Sequence, residues 1–395
     1  MRRLTRYVLF EFLSIFLVAL TAMTTIVILA VVGQEAVRQG LNPANVVRLI
    51  PYALPMALVF AIPGTTLFAA CSIYGRMASS NEVIAIKSMG VSPLTLVWPV
   101  LTLSFLLSLL VVGLNDVAVT WGRDGVKRVV LESLEQIAYG MLRTNRSYSG
   151  ERFSINVSGV DGHKLLGVTL TFHEPGSGQT VVFMAEEAEM HSNPAADSLS
   201  VTMTNWEVET GDNRRLIDPD RRVIDIPLTN GEDDELGKRR PSDVALRWIE
   251  EEIQNQRLVI ADQQQKFAAD AAQQLLLGDF SGLAEPVWEQ RLASVGGSQA
   301  RLHRLITEPW RRWATGFSCL AFVMVGAPLA IQLRNADVWT SFAVCFLPIL
   351  TIYYPLLAFG VDRAKSGELP ACSVWIGNAV LALAGWWLLR KVIRS

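Results

Sequence analysis

Residues 49–75, LIPYALPMALVFAIPGTTLFAACSIYG, and residues 93–115, PLTLVWPVLTLSFLLSLLVVGLN, flank a short polar link, 76–92, RMASSNEVIAIKSMGVS. Neither run contains an acid, a base or a histidine. A helix needs about 20 apolar residues to cross a bilayer, and both runs exceed that. A soluble core helix of this length would show a polar face, and these show none. The stretch therefore reads as two membrane-spanning helices joined by a tight connection.

Four further stretches meet the same criterion: 8–33, 314–333, 339–361 and 371–389. Glu11 is the one charged residue in any of the six. The spans thus fall three and three around a central segment in which most of the acids lie. The chain is 51% hydrophobic and only 18% charged, against about 25% charged in ordinary soluble domains. Lys and Arg bias orients the spans. Arg2, Arg3, Arg6, Arg76, Lys87, Arg334, Arg390, Lys391 and Arg394 share one side, which predicts both termini in the cytoplasm, although Arg38, Arg363 and Lys365 lie opposite. The central segment is then extracytoplasmic. The first apolar run is too long for a signal peptide and lacks a convincing cleavage site.

The expected organisation is spans 1–3 over 1–116, a β-rich domain over 117–240, a helical segment over 241–305, and spans 4–6 over 306–395. From about 145 to 228 the apolar residues alternate: Phe153, Ile155, Val157; Leu166, Val168, Leu170, Phe172; Leu199, Val201, Met203; Ile224, Ile226, Leu228. Turn signals separate these runs, which predicts an antiparallel sandwich or curled sheet. Beyond an acidic-then-basic linker, 242–277 reads as a helix with Trp248, Ile249, Ile253, Ile260 and Phe267 on one face. A second helix is expected over 284–294, ended by Gly296-Gly297, before 299–312 runs toward span 4. Pro51, Pro55 and Pro63 crowd span 2, and Pro99, Pro328, Pro348 and Pro355 interrupt others. Membrane helices tolerate such breaks when neighbours recover the freed carbonyls.

Catalytic signatures are lacking. Gly231 to Gly237-Lys238 has the wrong spacing for a phosphate loop and Arg239 where Ser or Thr is needed. His163, His173, His191 and His303 are scattered, and Cys71, Cys319, Cys345 and Cys372 sit in apolar runs without metal-site spacing. No cofactor is expected, and no basic stripe with interleaved aromatics suggests nucleic acid. The spans lack the buried acids of proton-driven transporters, so transport would need energy from another subunit.

The link between spans 2 and 3 carries the most specific pattern. Residues 77–90 read as a short amphipathic helix: Ser79, Ser80 or Asn81 can cap it, Glu82 suits its positive end, and Gly90 closes it. Val83, Ile86 and Met89 would share its apolar face. Such a helix can dock a soluble partner or rest in the lipid interface.

Here the chain resembles a known family, the lipopolysaccharide-export permeases LptF/LptG. The resemblance rests on proline-rich span 2 followed by Gly75-Arg76-Met77, Asn81-Glu82, Ala85, Gly90-Val91-Ser92 and Pro99. It continues in Leu302-His303-Arg304 with Pro309, in Ala327-Pro328-Leu329, and in Gly367-Glu368-Leu369-Pro370. It leaves out about 240–298, which is longer than is usual there. The resemblance implies a non-catalytic, multi-pass subunit of the bacterial inner membrane, paired with a second such permease around a central cavity. A cytoplasmic ABC ATPase dimer would supply energy, and lipopolysaccharide would pass through periplasmic jellyroll domains to a bridge protein. The helix with Arg76, Asn81, Glu82, Val83, Ile86, Met89 and Gly90 would be the ATPase-coupling helix, and spans 1 and 5 lateral gates. By position, Arg38, Arg48, Arg123, Lys127 and Arg128 are candidate contacts for lipid phosphates; each can equally be an interfacial anchor. Two other readings stand beside this one. A lipoprotein-release type of exporter places its external domain after the first span, unlike this chain. A membrane sensor would need a cytoplasmic output module, for which the sequence offers no segment.

Overall fold

The computed structural model describes residues 2–39, 43–123, 125–126, 128–129, 139, 142–143, 146–149, 153–173, 180–193, 198–210, 214–218, 221–227, 240–277, 286–333 and 337–394. It divides into two units. One comprises Met1–Leu29, Ala53–Gly122 and Arg240–Ser395; the other comprises Ala30–Tyr52 and Arg123–Arg239.

The helices are α1 (Arg2–Gln39), α2 (Pro43–Ser79), α3 (Glu82–Ser88), α4 (Pro93–Val117), α5 (Leu246–Leu277) and α6 (Pro286–Gly316). They continue as α7 (Ser318–Gln332), α8 (Val338–Pro348), α9 (Tyr354–Lys365) and α10 (Ile376–Arg394). Pro348 removes a donor, and the π-helical turn Ile349–Tyr353 that follows joins α8 to α9 as one span. Among the described residues six helical stretches are long and apolar enough to cross a membrane: Arg3–Gln34, Val46–Ser79, Pro93–Gly122, Leu292–Gln332, Trp339–Lys365 and Ala371–Arg394. Each overlaps one of the six expected runs, the fourth beginning well before the expected 314 because α6 leads straight into it.

Lipid tails are as apolar as Leu, so spans associate through close packing and polar contacts. Glycines supply the closeness. A Cβ on Gly385 of α10 would stand 2.6 Å from the Met324 carbonyl oxygen of α7, and one on Gly316 of α6 would stand 2.4 Å from Val112 Cγ2 of α4. The shared core contains Phe12, Leu67, Tyr74, Leu96, Phe322 and Tyr353. Burial is uneven: 72% of the most apolar window of the second and fourth spans is covered, against 17% for the first and the fifth.

Where the chain re-enters this unit, a buried ion cluster fastens it. Arg312 of α6 is fully buried. Its Nη2 donates to the carbonyls of Val244 (2.8 Å) and Ser242 (3.2 Å). Its other nitrogens pair with Asp116 of α4 (3.3 Å) and Glu308 (3.2 Å). Asp116 also accepts the Leu246 N–H at 2.8 Å, satisfying a donor at the start of α5. One guanidinium thus gathers the ends of three helices.

The helical segment departs from expectation. Gly296 and Gly297 do not end a helix; α6 runs through both. Each interior glycine costs about 0.5–1 kcal/mol, and contacts with α5 offset that cost. Gln256 donates to the Ser298 carbonyl at 3.1 Å, and Arg301 pairs with Glu252 at 2.9 Å. Ile249, Ile253, Gln256 and Ile260 form the buried face of α5, while Trp248, expected there, is exposed.

Among the described residues, the second unit holds a seven-stranded antiparallel sheet: β1 (Ser147–Ser149), β2 (Phe153–Asp161), β3 (Lys164–His173), β4 (Thr180–Asn193), β5 (Ser198–Thr210), β6 (Arg214–Asp218) and β7 (Arg222–Pro227). The strands pair in sequence order from β1 to β6. β6 meets Trp206–Thr210 and β7 meets Ser198–Met203, so both share the remaining edge of β5. The buried face includes Ile155, Leu170, Met190, Val201 and Trp206.

Alternation slips once in each of the four central strands. Buried residues two apart on either side become three apart at Leu165/Val168, Ala185/Ala188 and Met203/Trp206, and Val157 and the partly buried Val160 follow the same step. The slips align in one row, Ser158–Gly167–Glu186–Asn205, by the flanking register. Gly167 (φ 56) and Asn205 (φ 51) are left-handed, which glycine and asparagine tolerate. The row is a crease that turns the sheet while keeping its apolar face continuous. It also corrects the placement of Leu166, which is exposed while Leu165 takes the interior position.

Replacing Arg312 with Ala leaves Asp116, the buried Glu308 and two carbonyls short of a partner; a loss of about 3–5 kcal/mol is expected, read as a lower unfolding temperature in detergent. Gly385→Val forces α10 away from the α7 backbone and costs about 1–3 kcal/mol by the same measurement.

Candidate functional site

The candidate site lies at the end of the bundle where α1 begins and α10 finishes. α2 extends through Ser79, so the separate helix is shorter than the expected 77–90. Asn81 (φ 59) turns the chain, and α3 covers only Glu82–Ser88. Ser79, Ser80 and Asn81 make no side-chain cap to α3; instead the hydroxyls of Ser79 and Ser80 each donate to the Arg76 carbonyl at 2.9 Å. Gly90 (φ 76) closes α3, with its N–H on the Lys87 carbonyl (2.8 Å) and the Val91 N–H on that of Ile86 (3.3 Å). Ser92 then caps α4 by accepting from Leu94 N–H at 3.3 Å, with Pro93 at the first helical position.

Val83 and Ile86 are buried in the same core as Tyr74 and Met77. Met89, expected beside them, is 70% exposed, because Gly90 ends the helix before a further turn can form. Ile84, Ala85, Ser88 and Met89 therefore make an outward surface. Lys87 Nζ donates to the Val392 carbonyl at 2.9 Å, placing a cation at the C-terminal end of α10 and fastening α3 to it. Tyr74 donates to the Leu96 carbonyl at 3.1 Å, tying α2 to α4 beneath.

Arg76 joins three helices. Its Nη2 donates to the Tyr7 hydroxyl at 3.0 Å and forms an ion pair with Glu11, both on α1. Its Nη1 lies 3.6 Å from Glu82 Oε1 on α3, and that oxygen lies 3.0 Å from the Ser80 hydroxyl, whose single proton it shares with the Arg76 carbonyl. Glu82 remains part-exposed beside the outward surface of α3. This site contains no nucleophile–base pair; it can hold helices together and offer a carboxylate to a neighbour.

The proposed lipid-phosphate residues all fall in the second unit. Arg48 and Arg128 are exposed and Arg123 is half-buried. The Arg38 side chain and Lys127 lie outside the described residues. Gly125 approaches Tyr52 so closely that a Cβ would stand 2.0 Å from the ring. Arg48 precedes Tyr52 by one helical turn on the same face of α2. The segment bearing Arg123 and Arg128 therefore packs beside the helix bearing Arg48.

Tyr7 and Glu11 were not among the site residues singled out by pattern. Their signal was present: Glu11 is the lone acid in six apolar runs, and Arg76 sits where span 2 ends. The Arg312 cluster left a weaker one, a pair of arginines between tryptophans at 310–313.

No curated protein matches the chain. A family model described as lipopolysaccharide export system permease LptF/LptG matches residues 6–391. That range takes in all six spans, α3 and the sheet, and agrees with the motif resemblance around Arg76 and Glu82. The chain is a multi-pass membrane protein that belongs to the LptF/LptG family of lipopolysaccharide export permeases.

Proposed function

We propose that this chain is one of two permeases that enclose a cavity in the bacterial inner membrane and extract lipopolysaccharide, driven by a separate dimeric ABC ATPase. In this reading both termini and α3 face the cytoplasm and the 117–240 domain lies in the periplasm. The lipid passes from the outer leaflet into the cavity, then along the sheet domain to a periplasmic bridge protein. No catalytic step occurs on this chain; ATP hydrolysis belongs to the partner.

The geometry of α3 carries the proposal. A short helix fixed to the core by Val83 and Ile86, and to α10 by Lys87, transmits a push as a rigid body. Its outward surface and the accessible Glu82 offer a soluble partner something to grip. The same end carries interfacial anchors that support the orientation. Arg390 lies 3.5 Å above the Trp386 ring and Lys391 5.7 Å from that of Trp387. The sparse covering of the first and fifth spans supports a role for both as gates against a second permease. The exposed Arg48 and Arg128 of the sheet unit suit lipid phosphates.

Glu82→Arg should reduce recovery of the ATPase with the tagged permease, or uncouple hydrolysis from export, while insertion stays normal. Quantitative mass spectrometry and a vesicle export assay check this, and unchanged recovery and export would sink the assignment. Reversing Arg48 and Arg128 together to Glu should lower lipopolysaccharide copurification several-fold with the ATPase still bound. Equal lipid recovery would reduce these arginines to surface anchors.

A further inference from the structure

Glu11, Arg76 and Glu82 come from three helices and meet in a bundle whose spans are otherwise almost free of charge. Glu11 is mostly covered, and among the described residues no hydrogen-bond donor reaches its Oε2. A carboxylate so placed depends on its cation, since breaking a covered pair strands the remaining charge. Arg76 is the group that holds it, and Arg76 also faces Glu82.

The two contacts differ. Toward α1 the guanidinium is tightly engaged, by an ion pair to Glu11 and a hydrogen bond to Tyr7. Toward α3 the separation is 3.6 Å, longer than a good hydrogen bond. The backbone of Arg76 belongs to α2, so its side chain is a clamp on α1 whose charge is shared with a carboxylate on α3. The clamp matters because α1 has few other attachments. Its best apolar window is only 17% covered. Its buried anchors in the first unit's core are Val8, Phe12 and Phe16, within two turns of Glu11, with Leu4, Ile15 and Leu20 partly buried beside them.

We propose that Arg76 is a positioning residue that sets how firmly α1 is held against the bundle, dividing its charge between Glu11 and Glu82. When a partner engages Glu82, the guanidinium turns wholly to Glu11 and α1 tightens; when Glu82 is released, α1 loosens. Nucleotide-driven motion at α3 thereby reaches the first span without passing through the rest of the bundle. This inference rests on the assignment of α3 as the ATPase-docking helix.

The test uses the complete complex in nanodiscs, with Cys372 replaced by Ser and spin labels on exposed Val18 of α1 and Leu383 of α10. Label distances are compared with and without vanadate-trapped nucleotide, alongside ATPase recovery and export per ATP hydrolysed. In the unaltered complex the distance distribution should change with nucleotide. Glu11→Gln should abolish that change and lower export per ATP on the order of tenfold, while ATPase recovery and hydrolysis persist. Glu11→Asp, which keeps the charge, should restore most of both readouts, an effect that a purely packing role for Glu11 does not predict. Tyr7→Phe, a milder variant should Glu11→Gln fail to fold, should reduce the change without abolishing it. An unchanged distance response in Glu11→Gln, or in Tyr7→Phe if that alone folds, overturns the clamp and leaves α3 docking intact. No ATPase in the unaltered preparation, or no nucleotide response there, overturns the docking assignment and the clamp with it.

Discussion

In hydrocarbon an apolar side chain gains nothing by leaving lipid for protein, so spans hold together only where backbones come close or polar groups pair. Both devices are used sparingly here. Gly316 and Gly385 let α6 and α10 approach α4 and α7 to distances that a Cβ would block. One guanidinium at each end of the bundle then collects helix termini: Arg312 where the chain returns from the sheet unit, Arg76 where α3 lies. The second and fourth spans, central to these contacts, are well covered, while the first and fifth remain largely open.

The spans were legible because hydropathy acts on every residue of a long run, and no competing signal of that length exists. Strand existence was legible for a similar reason, through alternation. What escaped were features decided by single residues against their surroundings. Asn81 accepts a left-handed conformation and delays the start of α3, and Gly90 ends it early, so Met89 falls outside the packed face. Gly296 and Gly297 look like a stop, yet pairing with α5 carries α6 through them. Leu166 fits the alternation and is nevertheless exposed, because the row through Gly167 shifts the phase by one.

The site divides along the same line. Glu82, Val83 and Ile86 could be picked out locally, since the polar turn, the apolar face and the glycine stop lie within a dozen residues, although none of the expected caps forms. The partners of Arg76 on α1 could not, for Tyr7 and Glu11 are distant in sequence and meet it only through packing. Asp116 and Arg312 are further apart still, and neither resembles a functional residue alone. Local chemistry thus marks out a short helix and its faces, whereas the contacts that join it to α1 and α10 emerge only from the fold.

The creased sheet has a consequence for inheritance. Each of the four central strands contributes one residue to the row Ser158–Gly167–Glu186–Asn205. Deleting any one of these would shift the remainder of that strand by one position and turn its apolar side chains outward, while its neighbours kept their phase. The bend therefore cannot be gained or lost one strand at a time. Descendants of this chain can vary Ser158 and Glu186, but the left-handed backbone holds positions 167 and 205 to residues such as glycine and asparagine, and the extra residue of each strand is locked to those of the strands beside it.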